Sequence, residues 1–293
     1  MPRMQQNTYL SHAKNPELFG YEALRVNEGY RLEGAAKPHS NQTTELKLGK
    51  NNLPVIPIRS HNRLKRMNAL LDTASPVSWM EFGAAQEFDA EFLGDETYKV
   101  PYTGNLNTGN AAAYAAAISQ LRLGSITLDN ALFYIRMALH SLGPMARGIQ
   151  VPHVDSVLGY DTLKTFEFIQ FDFLRNQVRF SSGPPYVPDE QLLMSAAKIM
   201  ELKNYGLVIQ GGLLGIPTPI ILDVAGEYHF SRGDVKMNIT KQVSLGDVVY
   251  RKVPTLLLPT YDGPPRAGRR MLENYTVTIC PKTGIVYFER FPE

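Results

Sequence analysis

The chain has 293 residues, 44% of them apolar, enough to bury one large core or two of ordinary size. Lys and Arg number 30 against 28 Asp and Glu, and the resulting formal charge of +2 gives no field that would select nucleic acid or an anionic membrane. The single cysteine, Cys280, excludes an intrachain disulfide. No uncharged apolar run reaches the about 18 residues of a membrane span, and the first residues lack the basic-then-apolar pattern of an export signal. Compartment is therefore left open, and a monomer with no membrane span is expected.

Residues 1–45 are polar, with scattered Gly, Asn and Pro and no sustained period, which predicts an irregular N-terminal extension with room for one short helix. Beyond them, short apolar runs alternate with turn residues. The runs 53–58 and 67–71, on either side of Arg59-Ser-His-Asn62, read as a hairpin. The alanine-rich stretch 110–118 allows a short helix before further strands, and 166–180 reads as a second hairpin around Arg175-Asn-Gln177. Ser181-Ser-Gly-Pro-Pro185 and Pro188 mark a linker, because Gly and paired Pro continue neither helix nor strand. Asp189 is placed to cap a helix with Leu192, Leu193, Ala196, Ala197 and Met200 on one face. Strand-like patterning then resumes after Asn204 and runs to the end. These signals divide the chain into an extension (1–45), a first lobe (46–184), a linker with a helix (185–202) and a second lobe (203–293).

The second half repeats the first, weakly but in order. An apolar strand ends in aspartate in Asn68-Ala-Leu-Leu-Asp72-Thr-Ala-Ser75 and again in Pro219-Ile-Ile-Leu-Asp223-Val-Ala-Gly226. Gln120-Leu-Arg-Leu-Gly124 is matched by Gln242-Val-Ser-Leu-Gly246. Gly159-Tyr-Asp-Thr-Leu163-Lys-Thr-Phe166 is matched by Gly268-Arg-Arg-Met-Leu272-Glu-Asn-Tyr275. The separations shrink from 223−72 = 151 through 246−124 = 122 to 268−159 = 109, so the second copy has the shorter loops.

These residues resemble the pepsin-like and retroviral-type aspartic protease superfamily over about residues 46–293. Leu70-Leu-Asp72-Thr-Ala-Ser75 is similar to its apolar-Asp-Thr-Gly-Ser signature, and Val157-Leu-Gly159, with Asp161 and Leu163, to the second signature that packs behind the catalytic loop. The resemblance implies an all-β, bilobal, pepsin-like double β-barrel with a few short helices. It also implies an endopeptidase in which Asp72 and Asp223 form a water-activating pair in the inter-lobe cleft. Two adjacent carboxyls can do both proton transfers of peptide hydrolysis, because like charges held close share a proton.

By the same resemblance, the Thr73 hydroxyl bonds across to the other lobe's loop and the Ser75 hydroxyl bonds Asp72. Ala74, Ala225 and Gly226 complete the support of the pair. Tyr102 and Gly104, in Val100-Pro-Tyr-Thr-Gly104, stand where the family has a flap closing over a peptide or protein substrate, with Tyr98 an equally placed rival. The chain departs from the family at Ala74, normally glycine, and further in the second copy. There Val224 and Gly226 remove both hydroxyls, and Arg266-Ala-Gly268 lacks the apolar pair before glycine. A rival of the same fold, a pseudo-protease that holds a peptide or protein partner without cutting it, follows from those departures. A third reading, a structural component without a cleft function, requires the two aspartates to lie far apart.

Other constellations point elsewhere only weakly. The histidines show neither His-x-His nor His-x-x-x-His spacing, so no metal is expected, and no cofactor is implied. Gly211-Gly-Leu-Leu-Gly215 is a hairpin turn and not a phosphate loop, since Pro217 and Pro219 forbid the helix that would present N–H groups to phosphate. The basic clusters Arg63-Leu-Lys-Arg66 and 266–270, without interleaved aromatics, read as solvated loops with no nucleic-acid role.

Overall fold

A computed structural model describes residues 3–27, 29–39, 41–61, 65–102, 109–136, 154–233, 238–258 and 261–292. Among them, each lobe closes a ring of six strands. In the first the ring runs Val55–Ser60, Met67–Leu71, Ser156–Leu158, Trp79–Glu81, Ile126–Arg136, Gly109–Leu123 and back to Val55–Ser60. In the second it runs Val208–Leu213, Ile216–Asp223, Arg266–Gly268, Phe230–Arg232, Val248–Leu257, Ile239–Leu245 and back. The two rings have the same order and the same senses of pairing. The strand that leads to each aspartate lies parallel to the short strand before the glycine of the third repeated block, at Leu71↔Leu158 and at Asp223↔Gly268. The protein is a mostly β, bilobal double barrel with a few short helices.

The lobes share one further sheet, in the order Leu193–Met200, Ile285–Glu289, Thr276–Cys280, Phe168–Asp172, Gln177–Ser181, Thr43–Lys47. Its centre is two-fold: Ile169 pairs with Ile279 and Gln170 with Thr278, and 278−169 equals 279−170, the offset of 109 found between the third repeated blocks. Apolar side chains from the hairpins meet there, with Phe171, Val277, Ile279 and Phe288 all buried.

This sheet corrects one expectation. The segment 189–200 is not a helix, because Leu193–Met200 is a strand whose Ser195 and Ala197 are buried at period two, and the Asp189 side chain closes a turn by accepting from the N–H of Gln191 at 2.9 Å. Leu192, Leu193, Ala196 and Ala197 satisfy helical spacing, but the open edge of Ile285–Glu289 takes the segment as a ladder partner, as the opposite edge takes Thr43–Lys47. Outside that sheet, the N-terminal segment has the one short helix expected of it but is not irregular beyond it. It forms a helix, Arg3–His12, whose buried Tyr9 packs its ring 4.3 Å from that of Tyr114, and then a hairpin, Glu22–Val26 with Gly29–Glu33, set beside the strand Glu91–Tyr102. These elements cover the first barrel, which is why a segment without its own apolar period still has structure. The alanine run is likewise strand: Ala113, Ala115, Ala116 and Ala117 are buried, and small side chains let sheets approach on both faces.

Phe171→Ala, at the centre of the shared sheet, is expected to cost about 3–5 kcal/mol. Differential scanning calorimetry should show both lobes still melting together at the lower temperature, since the lost contacts belong to both.

Candidate active site

Each aspartate ends a strand and begins a tight loop, and the two loops are built alike. The O of Ser75 accepts from the N–H of Tyr160 at 2.8 Å, and the O of Gly226 accepts from the N–H of Arg269 at 2.8 Å. Gly159 and Gly268 are glycine for the same reason: a Cβ on either would lie 2.2 Å from a backbone oxygen, that of Val77 in one lobe and of Tyr228 in the other. The close crossing of loop and short strand holds each aspartate loop from behind.

Thr73 ties the loops together. Its hydroxyl donates to the O of Leu222 at 2.5 Å and accepts from the N–H of Val224 at 3.2 Å, while its own O accepts from the N–H of Leu207 at 2.7 Å. With Val224 opposite, the reciprocal hydroxyl is missing, so one threonine serves both sides. Ala74 is buried in the same seam, against Val208 and Ile221.

The two carboxyls are held differently. Asp72, 7% exposed, has Oδ1 accepting from the N–H groups of Ala74 and Ser75, both at 3.0 Å. The Ser75 hydroxyl does not bond Asp72, as the resemblance implied; it donates to the O of Val77 at 2.7 Å and fixes the turn that points the two N–H groups inward. Asp223, fully buried, accepts at Oδ2 from the Tyr228 hydroxyl at 2.5 Å. Tyr228 supplies the hydroxyl that position 226 lost. Its ring lies across Gly226, where a Cβ would be 2.6 Å from it. Oδ1 of Asp223 has no hydrogen-bond partner among the described residues, while the N–H groups of Gly226 and Ala225 help to hold the carboxyl down.

Arg266 corrects the reading of 266–270 as a solvated loop: it is only 7% exposed, and Arg269 is buried as well. In the first barrel the equivalent pair across the ladder is Val157 with Trp79; in the second it is Arg266 with Ser231, so a long side chain takes the room left by the smaller partner. The Arg266 guanidinium lies over the Tyr261 ring, 4.8 Å from its centroid, and Nε donates to the Tyr261 hydroxyl at 3.4 Å. Arg266 stands beside Ile221 in the parallel ladder, two residues before Asp223. Arg269 crosses to the N-terminal part of the chain, donating to the O of Asn51 at 2.8 Å, and with Arg270 it pairs with Glu227.

Burial, followed by the nearby charge of Asp223, pushes the Asp72 carboxyl up to about 7, against the pull of the Ser75 and Ala74 N–H groups and of Arg266. Burial also raises Asp223, opposed by Arg266, the Tyr228 hydroxyl and the backbone N–H groups. Asp72 and Asp223 therefore interact as a pair, and the supports of negative charge are richer around Asp223. Gly104 lies outside the described residues. Tyr102 ends the strand Glu91–Tyr102 opposite Gly109, and only its backbone is described; Tyr98 is buried in the first lobe. Among the described residues no cluster of His, Cys, Asp and Glu could hold a metal ion. Tyr228 and Arg266 were missed in sequence reasoning. The signal for the first was the very loss of the side chain at Gly226; for the second it was a charge in a slot that is apolar in the other copy.

No family model and no curated protein matches the chain in sequence. Among the solved structures that match is basic 7S globulin from soybean, with a TM-score of 0.49 and 11% identity over 85% of this chain and 95% of that one. At that level the likeness adds nothing to the double-barrel description above.

Because the folded state binds the Asp72 proton more tightly than the unfolded chain, stability contributed by this group is complete below its ordinary value of 3.8 and lost as pH rises through about 7. Thermal melts across this range should show the wild-type Tm falling with pH, and Asp72→Asn should flatten that decline.

Proposed function

We propose that the protein is an aspartic-type endopeptidase whose carboxyl pair is asymmetric, with Asp72 carrying the shared proton and Asp223 the charge. The observation that supports it is the Thr73 hydroxyl joined to both ends of the opposite loop, at Leu222 and Val224, since this sets two buried aspartate loops back to back. A double-barrel architecture is consistent with the same reading. A proton favours the carboxyl with fewer counter-charges, and Asp223 has Arg266 and the Tyr228 hydroxyl.

In this reading Asp223 takes a proton from water as the water oxygen attacks the peptide carbonyl carbon, while protonated Asp72 gives its proton to the carbonyl oxygen. The tetrahedral diol then breaks its C–N bond. Asp223 hands its proton to the departing amine, and Asp72 recovers one from a diol hydroxyl. The unpartnered Oδ1 of Asp223 is the acceptor left for that water. The substrate is an extended peptide lying between the lobes, held in the manner of an added strand.

A second reading, a pseudo-protease that binds a peptide without cutting it, draws on Arg266. A fixed cation beside Asp223 lets both carboxyls ionise without sharing a proton, and the water-activating state is then less populated.

Incubation with denatured casein from acid to mildly alkaline pH separates the readings. Catalysis predicts cleavage that declines as pH rises through about 7, where Asp72 loses its proton, and a drop of about 10²–10⁴-fold in Asp72→Asn. Absence of cleavage at every pH, with peptide binding equal in wild type and Asp72→Asn, would leave the binding role. Arg266→Met removes a charge that lowers both carboxyls, so its pH–rate profile should move to higher pH; an unmoved profile would show that Arg266 has no part in setting it.

A further inference from the structure

Away from the seam, three arginines stand side by side on the first lobe. Arg59 pairs directly with Arg122 across the ladder between Val55–Ser60 and Gly109–Leu123. On the other side, Ile58 pairs with Met67, so Arg66 falls at the next position, beside Arg59. The order across three adjacent chains is thus Arg66, Arg59, Arg122. All three line one cavity of about 280 Å³, together with Leu46, Pro57 and Gly124.

Like charges directly opposite one another on a sheet destabilise it, and proteins that keep such pairs ordinarily place a carboxylate among them. Here no ion pair to any of the three is formed among the described residues, whereas Arg175, Arg269 and Arg270 each have an acidic partner. Glu45 adjoins Leu46, which lines the cavity, but strand alternation sends Glu45 to the opposite face. The chain as a whole carries a charge of only +2, so the row is a local concentration and not a sample of a basic surface.

We propose that this row is a binding site for a phosphate-type oxyanion, and specifically for a linear chain of such groups. Guanidinium forks match the geometry of phosphate oxygens in pairs. Three neighbouring chains at about 4.8 Å spacing span two intervals, about 10 Å, more than a single phosphate covers. Leu46 and Pro57 supply a partly apolar wall that weakens competition from water for the same donors. The site is independent of the chemistry at Asp72 and Asp223.

Isothermal titration with tripolyphosphate, and separately with orthophosphate, at ionic strength matched with sodium chloride tests the assignment. Tripolyphosphate should bind one to one and at least tenfold more tightly than orthophosphate. Arg59→Gln and Arg122→Gln should each weaken it at least tenfold, while Arg251→Gln, an exposed arginine of the second lobe, should not. Thermal melts keep the test falsifiable if folding is in question: without ligand, the Arg59→Gln and Arg122→Gln proteins should melt no lower than wild type, because a repulsion has been removed, yet they should lose the rise in Tm that tripolyphosphate gives. Equal affinity for the two anions, an effect no larger than that of chloride, or a Tm rise that survives both substitutions would overturn the proposal.

Discussion

A single hydroxyl holds the two halves of this site in register. Two buried carboxyls repel each other and resist dehydration, so loops carrying them drift apart unless something neutral spans the gap. Thr73 does this by donating to the O of Leu222 and accepting from the N–H of Val224, which satisfies one acceptor and one donor that would otherwise be buried without partners. The charge interaction between Asp72 and Asp223 runs across the seam that this bridge ties. The matched crossings at Gly159 and Gly268 hold each loop from behind, and the two-fold shared sheet holds the lobes from beneath.

The copies have diverged without losing that frame, and each loss is met by a specific gain. Where Gly226 has no hydroxyl, the ring of Tyr228 fills the vacated space and brings its own hydroxyl to the carboxyl. Where an apolar residue is replaced by Arg266, the facing position has become Ser231 in place of a tryptophan, and Tyr261 covers the guanidinium. The first lobe supports its carboxyl with backbone N–H groups, the second with side chains. Burial raises both carboxyls, and Arg266, which opposes that rise at each, is the leading opposing influence only at Asp223.

Much of this was legible in the sequence where local pattern and tertiary outcome agree. The antiparallel pairs flanking Arg59-Ser-His-Asn62, Arg175-Asn-Gln177 and 211–215 were visible because apolar alternation and turn residues are properties of a few adjacent positions, although Gln177 and 211–213 prove to be strand. The repeated Asp, Gln-x-x-Leu-Gly and Gly-x-x-x-Leu blocks were visible because they come in order. Leu193–Met200 was not, since its apolar positions fit either period and the choice was made by the free edge of Ile285–Glu289, a strand nearly ninety residues further on. The hairpin of Glu22–Val26 with Gly29–Glu33 was not, because its order comes from packing Tyr21 onto a barrel built later in the chain.

By itself, then, the sequence determined the duplication and the identity of the two aspartates as counterparts, which depend on spacing along the backbone, while the fold class came from the resemblance those blocks carry. The tertiary structure alone decided what surrounds those aspartates. Tyr228 folds back over Gly226, Arg266 turns inward where a solvated run was expected, and the Ser75 hydroxyl serves its own turn while its N–H serves Asp72. The physical reason is that a carboxyl's behaviour is set by burial and by charges within a few ångströms, and those neighbours come from strands far apart in the chain.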